Sequence, residues 1–333
     1  MVSMKDIAAK CNVSVATVSK ALNNHSDIGE DTKKFIRDTA SEMGYFPNSS
    51  ARALKTKKTL NIGVLFVDEG QSGLTHDYFA RVLDSFKRVA ESSGYDITFI
   101  NAVSNKMTYL EHSRYRGVDG VVIACVDFNA KDVIDLINSD LPVVTIDHVF
   151  DNRISVVSDN ISGMSDLVEY AYKCGHTRIA YIYGDDTAVT RNRVASYYST
   201  LSRLGVTVDD SYTIASAYRN PKLAGKYTKK LLELKNPPTC ILYPDDYSAI
   251  GGLNAIDEAG LSVPDDISVM GYDGLYVSQI IRPKLTTYEQ NTEEIGKIAA
   301  KSLIRLIKDS KSTIIEKILV PGRILEGGSV AKI

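Results

Sequence analysis

Cysteine is scarce and scattered. Cys11, Cys125, Cys174 and Cys240 are the four in 333 residues, with no CxxC pair and no histidine at ligand spacing. That excludes a zinc ribbon or a disulfide framework, and the four read as small buried hydrophobes in a reducing compartment. No metal and no cofactor is expected. No window approaches the roughly 18 consecutive apolar residues of a membrane span. The opening MVSMKDIAAKCNV reaches a charged pair by residue 6 and has no apolar export core. A cytoplasmic protein with no membrane partner is expected. No GxGxxG follows the first apolar strand and no P-loop occurs, which leaves nucleotide-dependent enzymes without their phosphate cradle.

Net charge is also nearly absent, at −2, but it is unevenly distributed. Residues 1–59 carry ten Lys and Arg against six Asp and Glu, while the remainder carries 29 against 35. A basic head on an acidic body is the asymmetry expected when only the head meets a polyanion.

Residues 3–45 read as three short helices. Ser3 can cap the first, which shows Met4, Ile7, Ala8 and Cys11 on one face. CNV is a tight turn, after which Ser14 caps SVATVSKALNN and Val18, Ala21 and Leu22 turn inward. EDTKKFIRDTASEMGY follows, with Phe35, Ile36, Ala40 and Met43 at helical spacing. Two helices joined by three residues and braced by a third form a helix-turn-helix, although a generic helical bundle fits the pattern too. The second helix would then enter the major groove. Lys20 can donate to guanine O6 and N7, Val15 and Ala16 can touch thymine methyls, and Ser19 lies beside them. Ser14, Thr17 and Asn23 suit phosphate contacts.

After the proline of GYFP comes NSSARALK, Asn48 to Lys55. Its residues favour helix, yet isolated helices shorter than about 12 residues are marginal in water. A flexible basic linker is the plain alternative.

From Leu60 onward strands and helices alternate. TLNIGVLFV, DITFIN, GVDGVVIAC, LPVVTID, RIAYIYGD, PPTCILYPD and DDISVMGYD are apolar runs separated by helical text. Near-continuous hydrophobic strands in a βαβ order indicate parallel sheets covered on both faces. Residues 60–333 are more than one open sheet needs, so two lobes are expected. Ligands of such sheets lie beyond the carboxyl ends of the strands. Those ends offer Tyr78 and Phe79, Asp147, Asp245 and Asp273, with Arg191 and Arg193 on a following helix. Catalysis would need a general acid and base, for which the three aspartates could be mistaken. His148 beside Asp147 has no placed nucleophile and reads as a structural histidine, so no catalytic residue is assigned and no enzyme is expected.

MKDIAAKCNVSVATVSKALNN followed by GYFPNSSARALK resembles the DNA-binding head of the lactose/galactose repressor (LacI/GalR) family. The resemblance continues through GHTRIAYIYG, AIGGLNAIDEAGLSVPDDISVMGYDG, RPKLTTYEQ and IGKIAAKSLIRLI, and so spans the whole chain. It implies a three-helix helix-turn-helix head over 1–46, a hinge helix and linker over 47–59, and an effector-binding and dimerisation body over 60–333. That body would be an α/β, two-lobed, periplasmic-binding-protein-like fold with parallel sheets. One lobe would be about 60–158 plus 289–320, the other about 159–288 plus 321–333.

By position in the family, Arg193 matches the arginine that clamps the effector and Asp273 its carboxylate partner. Asp245 and the stacking aromatic Tyr218 complete the set with Tyr78, Phe79 and Asp147. Asn48, Ala51, Leu54 and Lys55 would belong to a hinge helix that folds on DNA, with Leu54 as a wedge in the minor groove. Ser3 joins the residues of the head expected at DNA.

The implied function is sequence-specific transcription regulation, as a repressor, controlled by a small molecule such as a sugar. The implied partners are pseudo-palindromic operator DNA and a second copy of the chain. The family's four-chain assembly uses a C-terminal leucine-repeat helix; this chain ends EGGSVAKI, so a homodimer is expected. A sugar-binding protein without a regulatory role, and a catabolite-type regulator dependent on a phosphoprotein, are the alternatives. Departures from the family fall at THDYFA, after the longer loop DEGQSGL, and at Ser196-Tyr197 after Arg193. They alter the rim of the cleft.

Overall fold

The computed structural model describes residues 2–46, 58–67, 73–101 and 107–333. The chain separates into two compact units, 1–59 and 60–333.

In the first unit, α1 (Met4–Cys11), α2 (Val15–Leu22) and α3 (Glu30–Glu42) surround one small core of Ile7, Ala8, Cys11, Val18, Ala21, Ile36 and Ala40. Local chemistry sets the ends of these helices. Ser3 and Asp6 form a reciprocal capping box on α1, and Asn12 closes it in the left-handed region at φ 53°. The Ser14 hydroxyl accepts from the Thr17 amide at 3.0 Å and starts α2. Gly29 caps α3 without a side chain. One expectation fails: Phe35 is 55% exposed. The buried stripe of α3 runs through Lys33, Ile36 and Ala40, and Phe35 lies one residue, about 100° of helix, to its side.

The second unit holds two six-stranded sheets. The first sheet contains β1 (Asn61–Phe66), β2 (Asp96–Ile100), β3 (Gly120–Cys125), β4 (Val143–Ile146) and β5 (Ile154–Ser158). Around it lie α4 (Asp77–Ser92), α5 (Tyr109–Tyr115) and α6 (Lys131–Ile137). The second contains β6 (Ile179–Tyr183), β7 (Thr213–Ala215), β8 (Cys240–Leu242), β9 (Ser268–Asp273) and β10 (Thr286–Glu289). Its helices are α7 (Asn160–Lys173), α8 (Ala188–Arg203), α9 (Pro221–Leu232), α10 (Asp246–Glu258) and the short α11 (Tyr276–Ile280). Helix α12 (Thr292–Lys308) then returns to the first sheet, which β11 (Lys317–Val320) extends, before β12 (Arg323–Leu325) joins the second.

The strand orders are β2-β1-β3-β4-β5-β11 and β7-β6-β8-β9-β10-β12. Every pairing is parallel except β10 with β12. Each sheet is therefore doubly wound, with its order reversing beside β1 in one lobe and β6 in the other, and each opens a crevice at its carboxyl edge. The chain passes between lobes three times, after β5, β10 and β11.

The strands β5, β7, β10, β11 and β12 lie outside the apolar runs read from the sequence. β10 reads TTYE, and its Thr286 and Thr287 are buried only because tertiary neighbours cover them. Helices α4 and α12 approach closely at Gly296, where an added Cβ would stand 2.2 Å from the Val82 carbonyl oxygen. Gly296→Val is therefore expected to push the two helices apart and destabilise residues 60–333 by about 1–3 kcal/mol. Urea unfolding of the variant checks this, and an unchanged midpoint would contradict it.

Candidate functional site

Arg193 lies on the second turn of α8, which Thr187 caps by accepting from the Thr190 amide. The guanidinium is 3% exposed. Its Nε donates to Asn160 Oδ1 at 2.8 Å, and an NH group donates to the Pro244 carbonyl at 3.0 Å. The group lies 3.5 Å from the centre of the Tyr272 ring, a cation–π contact, and 6.0 Å from that of Tyr218. No carboxylate among the described residues comes within 4.0 Å of it. The clamp expected from direct pairing of Arg193 with Asp273 is thus not closed by the protein alone.

Three carboxylates flank this cation. Asp245 caps α10 and is 1% exposed; it accepts from the amides of Ser248 and Arg219, each at 2.8 Å. Asp273 ends β9 with φ 102°, and the Gln290 amide donates to its Oδ1 at 2.6 Å. Asp147, φ 56°, follows β4; Tyr78 donates to its Oδ2 at 2.5 Å and the Ser158 amide to its Oδ1 at 3.0 Å. Burial raises the affinity of all three for protons. Asp273 is pushed up to about 7, with Arg193 opposing the rise and Asp245 and Asp147 adding to it.

Tyr218 lies flat over Gly184, where an added Cβ would meet its ring at 2.4 Å, and its hydroxyl shares a 2.8 Å hydrogen bond with Thr190. Phe79 packs its ring against Phe66, His76 and Tyr78 in the first lobe. The tertiary structure thus gathers Tyr78, Phe79 and Asp147 from one lobe with Arg193, Tyr218, Asp245 and Asp273 from the other. Arg191 does not join them: it points outward to Asp186 at 2.6 Å. His148 stacks on Phe128 at 4.1 Å and is a packing residue.

Several residues of this region escaped the sequence reading. Asn160 orients Arg193 but follows β5, whose ISVVS lies outside the apolar runs read from the sequence. Asp246, fully buried, accepts from the Leu275 amide and the Thr287 hydroxyl, each at 2.6 Å. Asp77, by contrast, is in the THDYFA segment expected to alter the rim, and it reaches across the lobes: the Tyr247 hydroxyl donates to it at 2.9 Å and Arg219 lies 3.6 Å away. Arg219 also donates to the Thr75 carbonyl at 3.0 Å, and Arg81 to the Gly274 carbonyl at 3.1 Å. These contacts latch the lobes at the rim. Two cavities of about 370 and 350 Å³ lie beside the strand crossover at Arg81 and Glu289, away from Arg193.

In the head, Val15 is 41% exposed and Ala16 and Lys20 are exposed on the same outer surface of α2. Lys20 forms an ion pair with Asp27. Asn23 donates to the Ser19 carbonyl at 2.7 Å, and the hydroxyls of Ser14 and Thr17 bond each other at 2.9 Å. Ser3 is committed to its capping box. Asn48, Ala51, Leu54 and Lys55 lie outside the described residues.

A basic helix-turn-helix unit joined to two doubly wound lobes around a polar cleft defines a ligand-responsive DNA-binding protein. Residues 3–48 match the family of bacterial regulatory proteins, lacI family, and residues 168–330 match the periplasmic binding protein-like domain. The chain is 33% identical over 325 residues to the probable HTH-type transcriptional repressor ExuR of Bacillus subtilis (strain 168), covering 96% of this chain and 95% of that one. It is 29% identical over 331 residues to catabolite control protein A of Priestia megaterium, covering 97% of each. The crystal structure of the Lac repressor dimer bound to operator and the anti-inducer ONPF superposes with a TM-score of 0.83 at 25% identity, covering 99% of both chains. The transcriptional regulator CelR–cellobiose complex shares the fold, with a TM-score of 0.71 at 20% identity and coverage of 99% and 100%. The chain belongs to the lacI family of bacterial regulatory proteins: it is a DNA-binding transcriptional regulator, not an enzyme. No helix among the described residues is long and apolar enough to cross a membrane.

Two outcomes follow from the cleft. Asp273 holds its proton more tightly folded than unfolded, so its contribution to stability is complete below about pH 4 and lost as pH rises through about 7. Between pH 6 and pH 8 the ligand-free protein should lose about 1 kcal/mol through this group, which faces Arg193, Asp245, Asp147, Asp246 and Gln290. Asp273→Asn should flatten that part of the slope in thermal melts. At the rim, Asp77→Ala should raise hydrogen exchange at Arg219 and neighbouring amides by about fivefold, equivalent to ~1 kcal/mol. Unchanged exchange would mean that the latch does not hold the lobes.

Proposed function

We propose that the protein is a repressor whose DNA affinity is set by a sugar bound between the two lobes. The observation that carries this reading is the buried Arg193 guanidinium, with no carboxylate among the described residues in ion-pair range, at the carboxyl edges of two facing sheets. A planar fork and several carboxylates grip vicinal hydroxyls, and an aromatic face such as Tyr218 covers the apolar side of a pyranose or furanose ring. In this reading Arg193, Asp245, Asp273 and Tyr218 bind from one lobe and Tyr78, Phe79 and Asp147 from the other. Closure around the sugar alters the lobes' relative position and reaches DNA through residues 47–59. Such coupling is typically worth ~1–3 kcal/mol.

On the DNA side, a cytoplasmic homodimer binds a pseudo-palindromic operator, since two-fold protein symmetry maps onto two half-sites. Val15, Ala16, Ser19 and Lys20 read bases, while Ser3, Ser14, Thr17 and Asn23 contact phosphates. Lys20 must leave Asp27 to do so. Asn48, Ala51, Leu54 and Lys55 form a minor-groove element with Leu54 between base steps.

Selection of duplexes from a random pool tests this function. The recovered sites should be pseudo-palindromic, and binding should weaken steeply with salt. Lys20→Ala should relax preference at one base pair of each half-site by ~1–3 kcal/mol. A monosaccharide present at 100 times its dissociation constant should stabilise the protein by about 2.7 kcal/mol and change operator affinity. Absence of sequence preference, or Arg193→Ala leaving the sugar response intact, would sink the proposal.

A further inference from the structure

The cleft is polar but its charge is one-sided. Asp147, Asp245 and Asp273 converge on it with Asp246 behind them, while the only guanidinium among the described residues to act on all three is Arg193. The other arginines nearby are used elsewhere. Arg191 is bound to Asp186 at the surface, Arg219 reaches Thr75 and Asp77, and Arg81 reaches the Gly274 carbonyl. Arg193 itself is half committed, to Asn160 and the Pro244 carbonyl.

The site's remaining hydrogen-bonding capacity suits hydroxyl groups. Asp273 Oδ2 accepts no hydrogen bond from the described residues, since Gln290 takes Oδ1. The hydroxyls of Ser158 and Tyr181 are 1% and 0% exposed and have no partner among the described residues. Ser158 adjoins Asp147 through its amide, and the Tyr181 hydroxyl lies within electrostatic reach of Arg193, Tyr218 and Asp245. Buried polar groups without partners are costly, and a ligand that both donates and accepts satisfies them. The Tyr272 hydroxyl also lacks a partner but is directed at Gly163 of α7, inside the second lobe.

We infer that the effector is an uncharged, ring-form polyol and that the cleft rejects the same ring carrying a carboxylate or a phosphate. The inference rests on the reading of the cleft as a sugar site and narrows its ligand class. An added anion meets three carboxylates and finds one partly occupied cation in a region shielded from water, where like charges repel strongly. Hydroxyls instead donate to the free carboxylate oxygen and accept from Arg193, Tyr181 and Ser158. Asp77, Arg219 and Tyr247 bridge the rim.

The test is titration calorimetry on the full-length protein at pH 8 with matched series. D-glucose, D-galactose and D-ribose are compared with D-glucuronate, D-galacturonate and glucose 6-phosphate. At least one neutral sugar should bind, and its matched anion should bind at least tenfold more weakly. On going from pH 8 to pH 6 the gap between a sugar and its uronate should narrow by at least threefold, as Asp273 gains a proton facing Arg193, Asp245, Asp147, Asp246, Tyr78 and Tyr218. This measurement needs no variant that might misfold. A uronate or phosphate that binds as tightly as its neutral parent overturns the inference and leaves the sugar site standing. Failure of every compound to bind removes both the inference and the sugar reading.

Discussion

Placing the Arg193 guanidinium out of water constrains much of the surrounding structure. A buried cation is costly unless hydrogen bonds and nearby negative charge replace its hydration. The protein supplies an amide oxygen from Asn160, a backbone carbonyl from Pro244 and the face of Tyr272, but no carboxylate in contact. Those groups come from the start of α7, the loop after β8 and the end of β9. They converge only if the second sheet is wound as it is, with its parallel strands β6 to β10 delivering their carboxyl ends to one edge. The aspartates stand one step further off, close enough for their charge to act on Arg193.

The same edge explains why two lobes are needed. One doubly wound sheet presents a crevice open to water on one side, where a few hydrogen bonds to a polar ligand gain little. A second sheet facing it excludes water and raises the worth of each contact. Three crossovers join the lobes, and the Asp77–Tyr247–Arg219 contacts bridge the rim. Burial of the aspartates raises their proton affinity.

Most of this organisation was legible in the sequence, though unequally. The head announces itself through local chemistry, because Ser3, Asp6, Ser14 and Asn12 act within a few residues of where they stand. The apolar strands β1, β3, β4, β6, β8 and β9 are equally plain, since strands buried on both faces must be hydrophobic throughout. The strands β5, β7, β10, β11 and β12 fall outside those runs. Ser, Thr or charged residues interrupt them, and Thr286, Thr287 and Tyr288 become a strand only when β9 and β12 pair with them. Phe35 was misplaced because a stripe of helical spacing is about one residue wide, and its neighbour Ile36 holds the buried position.

The sequence by itself determined the fold class and the residue types that strand ends deliver to the cleft, because these follow from local periodicity, capping and spacing, and its motifs carry the resemblance to the regulator family. Only the tertiary structure decided which of those residues meet. Arg191 and Arg193 differ by two positions on one helix, about 200° of rotation, so one faces solvent and the other is buried. Asn160, Asp246, Asp77 and Tyr247 gain their roles from partners 33, 29 and 170 residues away, distances over which no sequence pattern carries information. Long-range electrostatics follow the same rule, since burial and the summed field of distant neighbours, not residue identity, set how tightly Asp273 holds its proton.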